Sequence, residues 1–580
     1  MEQEPKTLFW HGHESVFEEA VLHGIYESDL TTVSYDYQAV GLEKIPSFSD
    51  GDATIRVVPV AEGDKVVDVN GDVIELQIGD QVINAAGDAT TYDGSTLLMD
   101  QLIVDFRMKQ RFWSDGRPVT AADSVYSFHL AARPETPGDK YVVDRTASYQ
   151  ASANLQIRWS GLPGFIDSNF QSNFHHPLPR HTWLDLALTD LTTATVSSRF
   201  PLGDGPFQIV EWKDGQSIRL TPNPHYYRSL DGYPQLDGVV YRFISDPNER
   251  IAQLLAGSCH VITHESLDAA LLPFILEAET EHLLNAHIVP DRFGWELVFG
   301  INSWGEYSDG LGRPDWFEDA RVRQAVAMCI DKQELVDTLY LGQTDLLDGY
   351  VPSSHPLKAN GLTQWQFDVT AANRLLDEVE FLDNNGDGVR EDPTTGTDFR
   401  IAIVIGLGQQ EHLLAQMIET FLRDCGIELY IEQTANQNLT SSNEVDKVHG
   451  RRFDLALSLS EATLIPDCDR FMSTQISGSP TEINERTGKP FIGWQGRNRS
   501  GWSSAAFDEY CSSALTSPVN SPEQKSNHQE AQRIFAKELP VLPLLLEPKI
   551  TLVHPEVRHI VNDPTQDSEL WNLYAVEFTP

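Results

Sequence analysis

At 580 residues, 41% of them apolar and 22% charged, the chain has a globular composition and exceeds one ordinary core, so two or three lobes are expected. Its 42 basic and 86 acidic side chains leave a net charge of −44, which makes duplex and single-stranded nucleic acid poor partners, because binding them takes a cationic footprint. No run of 18 or more apolar residues is present to cross a membrane as a helix.

The opening, MEQEPKTLFW, has neither the basic stretch nor the apolar core of a signal peptide. Two readings stay open from this: a cytoplasmic protein, or a mature form behind an added Met1. The five cysteines (Cys259, Cys329, Cys425, Cys468, Cys511) are widely spaced without a C-x-x-C, which disfavours zinc and thioredoxin-like chemistry. An odd count leaves at least one thiol unpaired.

Val16 to Ile25 carries apolar residues at helical spacing. His11 and His13 precede it two apart, as on one face of a strand, but no third ligand follows at a metal-site spacing. Strands are expected at Lys65–Val69, Val73–Ile78 and Leu102–Met108, then a helix from an N-cap at Thr120 to Ala132, with Asp123 completing a capping-box-like pair. Residues 133–200 are loop-rich; His175, His176 and His181 have no Cys or carboxylate at short range to complete a metal site. Gly203 to Tyr227, GDGPFQIVEWKDGQSIRLTPNPHYY, reads as a hairpin turning at Lys213-Asp214-Gly215 and stopped by Pro222 and Pro224.

A strand at Pro234–Ile244 and a helix at Asn248–Ala256 follow. Next comes the strand Trp295–Asn302. Val322, Ala325, Val326 and Cys329 then form a buried helical stripe on which Cys329 reads as a core thiol, and Asp331 caps a second helix ending near Gly342. Asp383, Asn385, Asp387 and Gly388 match positions 1, 3, 5 and 6 of a calcium loop. Thr394 stands where the bidentate Glu belongs, so at most weak calcium binding is expected and no other cofactor. Phe399–Ile405, a helix through Leu422 and the strand of Ile427, Leu429 and Ile431 form a β-α-β unit with a parallel pair. Phe453–Leu459 is a strand, Asn484–Ser500 a polar stretch, and Trp502–Ala514 and Gln524–Glu538 are helices. Leu539–Val553 is a strand whose prolines suit an edge or a crossing between lobes. No G-x-S-x-G, H-E-x-x-H, Walker A or strand-following G-x-G-x-x-G is present, so the chain is read as a non-enzyme.

Several of these runs together resemble the large extracytoplasmic solute-binding proteins of peptide/nickel (family 5) ABC importers. They are VDFRMKQRFWSDGRPVTAADSVYSF, the Pro179-Arg180-His181-x-Trp183 run, the Gly203–Tyr227 hairpin, and F-x-D-x-R-V-R-Q-A…I-D-K…G…V-P…H-P from Phe317 to Pro356. Cys259-His260 stands where an acidic residue is usual. The resemblance implies an α/β, three-lobed periplasmic-binding-protein-like fold of mixed sheets flanked by helices, with a ligand cleft between lobes closed by hinge motion. Lobe I would comprise 1–55, 198–291 and 541–580, lobe II an insertion at 56–197, and lobe III residues 292–540.

By the same resemblance the protein is a soluble, monomeric, extracytoplasmic receptor, in the periplasm or anchored at the cell surface as a lipoprotein. It would pass a solute, an oligopeptide or dipeptide first of all, to a membrane permease. An oligosaccharide or metal chelate, or a secreted hydrolase activity, are the alternatives. In an oxidising compartment Cys468 would pair with Cys511, leaving Cys329 and Cys425 reduced. Peptide-binding relatives hold the ligand amine with an Asp just after the strand equivalent to Phe453–Leu459. Here that loop offers Glu461, Asp467 and Asp469, of which Asp467 is chosen. The strand Trp295–Asn302 would present an edge to the peptide backbone, bringing Phe299 and Asn302 to the ligand. Trp295 and Trp494 would be aromatic walls, with His355 at the rim.

Overall fold

The structure, a computed structural model, describes residues 1–302, 314–435, 439, 442–443 and 446–579. The chain forms two compact units, Met1–Ile288 with Ile550–Pro580, and Val289–Lys549. Within the first, a four-stranded antiparallel sheet runs in the order Ala53–Val60, Leu97–Arg107, Gln156–Gly161, Thr146–Ala153. The helix Ala121–Ala131 starts at a capping box in which Thr120 and Asp123 satisfy each other's backbone N–H groups.

The Gly203 run enters the first unit through a contact that only glycine permits. A Cβ on Gly203 would lie 1.8 Å from the Ile25 carbonyl oxygen, and one on Gly205 2.6 Å from the Ile25 carbonyl carbon. Without side chains, the Gly205 N–H reaches the Ile25 carbonyl at 2.8 Å and the Ser114 N–H reaches the Gly203 carbonyl at 2.8 Å. The hairpin follows as Phe207–Lys213 paired antiparallel with Ser217–Pro222, then Val239–Arg242 as a third strand. Gly215 turns it with φ +65°. Beneath the entry lies Arg111, fully buried, which ion-pairs with Asp29 and, at 2.9 Å, with Asp204. Burial pushes the Asp29 carboxyl up, but Arg111 and His176 outweigh it and hold it below its ordinary value.

In the second unit the strands run Val541–Val553, Asn285–Phe299, Leu455–Glu461, Arg400–Ile405, Glu428–Gln433. Arg400–Ile405 and Glu428–Gln433 are parallel and joined by the helix Gln409–Arg423, the β-α-β unit read from the sequence. Asn285–Phe299 is paired on both flanks, by Val541–Val553 and, antiparallel, by Leu455–Glu461. It therefore offers no edge, contrary to the expectation for Trp295–Asn302. An apolar run of this kind satisfies its backbone on both sides when it sits mid-sheet.

Two disulfides form, Cys468–Cys511 and Cys329–Cys425, both in the second unit. The second corrects the expectation of two reduced thiols. Cys329 closes the helix Ala320–Cys329 and Cys425 follows Gln409–Arg423, and both are fully buried with Cα atoms 6.3 Å apart. A buried thiol on an apolar stripe looks the same in sequence whether it is free or bridged. Cys259 is free.

Two outcomes test this frame. Alkylation of the native protein without reductant should label Cys259 alone; labelling of Cys329 or Cys425 would break the assignment. Gly205→Ala should lower stability by about 3 kcal/mol, since backbone must move. Gly215→Ala, with nothing within 4 Å of the added carbon, should cost about 1 kcal/mol for its left-handed φ. Equal shifts in thermal melting for the two would refute the close-approach argument.

Candidate functional site

The second unit carries a cavity of about 330 Å³ whose floor is the middle of its sheet. Glu296 and Val298 come from the strand Asn285–Phe299, and Ser458, Leu459 and Glu461 from Leu455–Glu461. Because side chains alternate along a strand, facing Glu296 and Val298 to the cavity turns Trp295, Leu297 and Phe299 to the other face. Trp295 is 5% and Phe299 0% exposed there, so both are core residues rather than ligand walls. Nor does Asn302 line the cavity; its N–H binds the Asp315 carboxylate at 2.8 Å. Trp494 is absent from the lining too, its carbonyl lying 3.1 Å from His449 Nδ1.

The free edge is on the neighbouring strand. Arg400–Ile405 pairs with Leu455–Glu461 only at Leu455 and Ala456. Among the described residues, the rest of Leu455–Glu461 has a strand partner on one side only. Glu461, at its end, is half exposed and ion-paired to Arg292 Nε at 2.9 Å.

The loop that follows is held from beneath by His355. Its Nδ1 accepts the Leu357 N–H at 3.0 Å, which leaves Nε2–H to donate toward the Thr463 and Leu464 carbonyls, each 3.2 Å away. Burial pushes this imidazole down to about 4, so it is neutral at physiological pH. His355, 4% exposed, thus supports the acidic loop and lines a small pocket with Glu461, Asp467 and Arg470.

Asp467 lines the cavity, and Asp469 lies beside it. Arg497 ion-pairs with both, with Asp469 at 3.0 Å. Burial and the adjacent Asp467 push the Asp469 carboxyl up. Asp467 is held below its ordinary value against its own burial, by the hydrogen bond with Asp469 and by Arg497. Deeper in, Arg470 forks onto both carboxylate oxygens of Glu296 at 2.9 and 3.0 Å. Sequence reading brought Asp467 and Glu461 to this cavity and missed Glu296, Arg470, Arg497 and Arg499. A run buried on both faces does not announce which face holds the ligand, and Arg497-Asn498-Arg499 sat inside a stretch read only as polar.

The first unit has its own cavity, of about 560 Å³, around His11, His23, His175 and His176. His11 and His175 are driven down to about 3 and about 4, chiefly by burial. His13 binds Glu19, and His176 binds Asp29. Among the described residues no group of three or more His, Cys, Asp or Glu is arranged to hold a metal ion. At the calcium-like turn, Asp383 accepts the Gly386 and Gly388 N–H groups, Asn385 that of Asp387, and Asp387 that of Val389.

Residues 95–482 match the model of the bacterial extracellular solute-binding proteins, family 5. The chain belongs to that family. Among curated relatives, this family 5 protein is 26% identical over 395 residues to the oligopeptide-binding protein AppA of Bacillus subtilis, covering 65% of the chain and 66% of the relative. It is 26% identical over 471 residues to di/tripeptide-binding protein 2 of Pseudomonas aeruginosa, covering 77% and 78%. Its fold matches that of HbpA2 from Haemophilus parasuis with a TM-score of 0.70 at 15% identity, over 100% of the chain and 99% of that structure. The architecture is accordingly the periplasmic-binding-protein-like fold of this extracytoplasmic solute-binding family.

One acid-sensitive point of this family 5 protein is local. His528 is 0% exposed, neither ring nitrogen has a hydrogen-bond partner, and burial, with His355 nearby, pushes it down to about 4. The unfolded chain takes up that proton near pH 6.5 and the folded one only near 4, so stability is lost as pH falls through this window. His528→Leu should remove up to about 3 kcal/mol of that loss. Chemical denaturation from pH 7 to 4.5 should show the variant gaining on the wild type as pH drops; a constant difference would contradict it.

Proposed function

We propose that this protein is the receptor of an ABC importer, capturing a peptide extracytoplasmically and delivering it to a membrane permease. It acts as a monomeric binder, without catalysis or a bound cofactor. The observation that carries this reading is the strand Leu455–Glu461, whose last residues lack a partner on one flank and run directly into the loop of Asp467. A peptide backbone can pair with such an edge whatever its side chains are, and a carboxylate at the end of it suits the ligand's ammonium. The relatives named as oligopeptide and di/tripeptide binders support the ligand class. Two disulfides suit an oxidising, extracytoplasmic site of action.

Asp467→Ala should weaken binding of a free-amine peptide by one to three orders of magnitude, about 2–4 kcal/mol for a charged hydrogen bond out of bulk water. It should leave the N-acetylated peptide nearly unaffected. Calorimetry on both ligands checks this. Equal losses, or none, would remove Asp467 from the site, and a wild type that binds no peptide would remove the ligand class.

A further inference from the structure

The charged side chains that line the second-unit cavity are tied into ion pairs, with one exception. Glu296 is taken by Arg470, Glu461 by Arg292, and Asp467 with Asp469 by Arg497. Arg499 also lines the cavity and is half-buried, yet among the described residues it makes no ion pair and no hydrogen bond. Burial is the main influence pushing its guanidinium below the ordinary value; Glu296 and Asp446 oppose this, and Arg470 and Arg497 add to it. A cation so placed is partly withdrawn from water and is bonded to neither of the acids whose fields reach it, Glu296 and Asp446, an arrangement that costs free energy unless a ligand completes it.

Its position is fixed by its neighbour. Asn498 is 1% exposed, and its amide nitrogen donates to the carbonyls of Phe471, Met472 and Trp502 at 3.0, 3.1 and 2.8 Å. Its side-chain oxygen accepts the Ser500 hydroxyl at 3.0 Å and the Gly501 N–H at 3.1 Å. Asn498 also forms a parallel bridge with Ile476, which makes the segment locally extended. With Asn498 anchored inward, Arg497 and Arg499, one residue to either side, both meet the cavity. The two arginines are alike in placement and differ in that acids answer only the first.

We propose that Arg499 is the receptor for a carboxylate of the ligand, so that this cavity selects peptides carrying an acidic group at the position that reaches it. The proposal rests on the peptide reading above. A guanidinium grips a carboxylate through two parallel N–H···O bonds, a geometry that neutral amides cannot match. The carboxylate has two sources, an Asp or Glu side chain or the peptide's C-terminus.

The test is calorimetry on alanine pentapeptides with one Glu walked through all five positions, each paired with its Gln counterpart and each made with a free and an amidated C-terminus. The proteins are the wild type, Arg499→Met and Arg499→Lys. The wild type should prefer one carboxylate placement by tenfold or more, Arg499→Met should lose that preference, and Arg499→Lys should keep part of it. A preference that follows Glu against Gln assigns the side chain; one that follows the free against the amidated end assigns the C-terminus. Since Arg499 bonds to nothing described in the protein, Arg499→Met should melt no lower than the wild type. A wild type indifferent to both carboxylates, or an Arg499→Met variant that keeps the preference, overturns this inference alone. A wild type that binds no member of the series overturns the peptide reading and this inference with it.

Discussion

The Arg111 guanidinium has no contact with water and is enclosed by acids from two distant parts of the chain, Asp29 near the start and Asp204 in the Gly203 run. Bringing such charges out of water is expensive, and their mutual attraction offsets the cost only when the geometry is right. The cluster is therefore better understood as fixing register than as adding stability: slipping either segment by a residue would strand a charge. Glycines enforce the same register. Gly41, Gly203 and Gly205 each stand where a Cβ would run into this cluster or into the Ile25–Tyr26 backbone.

This explains why the Gly203–Tyr227 wording is so constrained. Asn223 closes the run by donating to the Gly205 carbonyl at 2.9 Å. Tyr226 donates its hydroxyl at 2.7 Å to Glu27, whose carboxyl burial pushes up to about 7. The glycines and the tyrosine, which look like loop punctuation in sequence, converge on three residues, Ile25 to Glu27, while the asparagine holds the run closed on itself. A motif of turn formers is here a device for seating one backbone against another.

What was legible in the sequence follows from which interactions are local. The capping box at Thr120, the hairpin at Gly215 and the β-α-β unit are set by residues a few positions apart, and each was read from them. The fold class was legible because several such runs kept their order. The facing of the strand Asn285–Phe299 was not, because burial from Gly294 to Phe299 removes the alternation that marks a solvent side. The Cys329–Cys425 bridge was hidden for a related reason: 96 residues separate the partners, and each is fully buried, Cys329 at the end of one helix and Cys425 just after another, where an unpaired thiol is equally at home. Of the candidate ligand residues, Glu461 and Asp467 reached the cavity because they lie at a strand end and in the loop after it, a place where function concentrates.

The same accounting separates two roles for charge in the second unit. The bonded groups, Glu296 with Arg470 and Arg497 with its two aspartates, shape a polar wall in which each arginine is already engaged. Arg499 adds a positive charge that, among the described residues, no bonded acid offsets. That sign opposes the −44 of the whole chain, and the two act over different distances. At physiological salt the overall charge is screened within about 8 Å, so it modestly disfavours the approach of an anion and then ceases to matter. A guanidinium in contact with a carboxylate inside the cavity is screened far less. Any acidic preference of this site would consequently reside in the lifetime of the bound state rather than in its rate of encounter, a division that contact charges and remote charges impose on receptors in general.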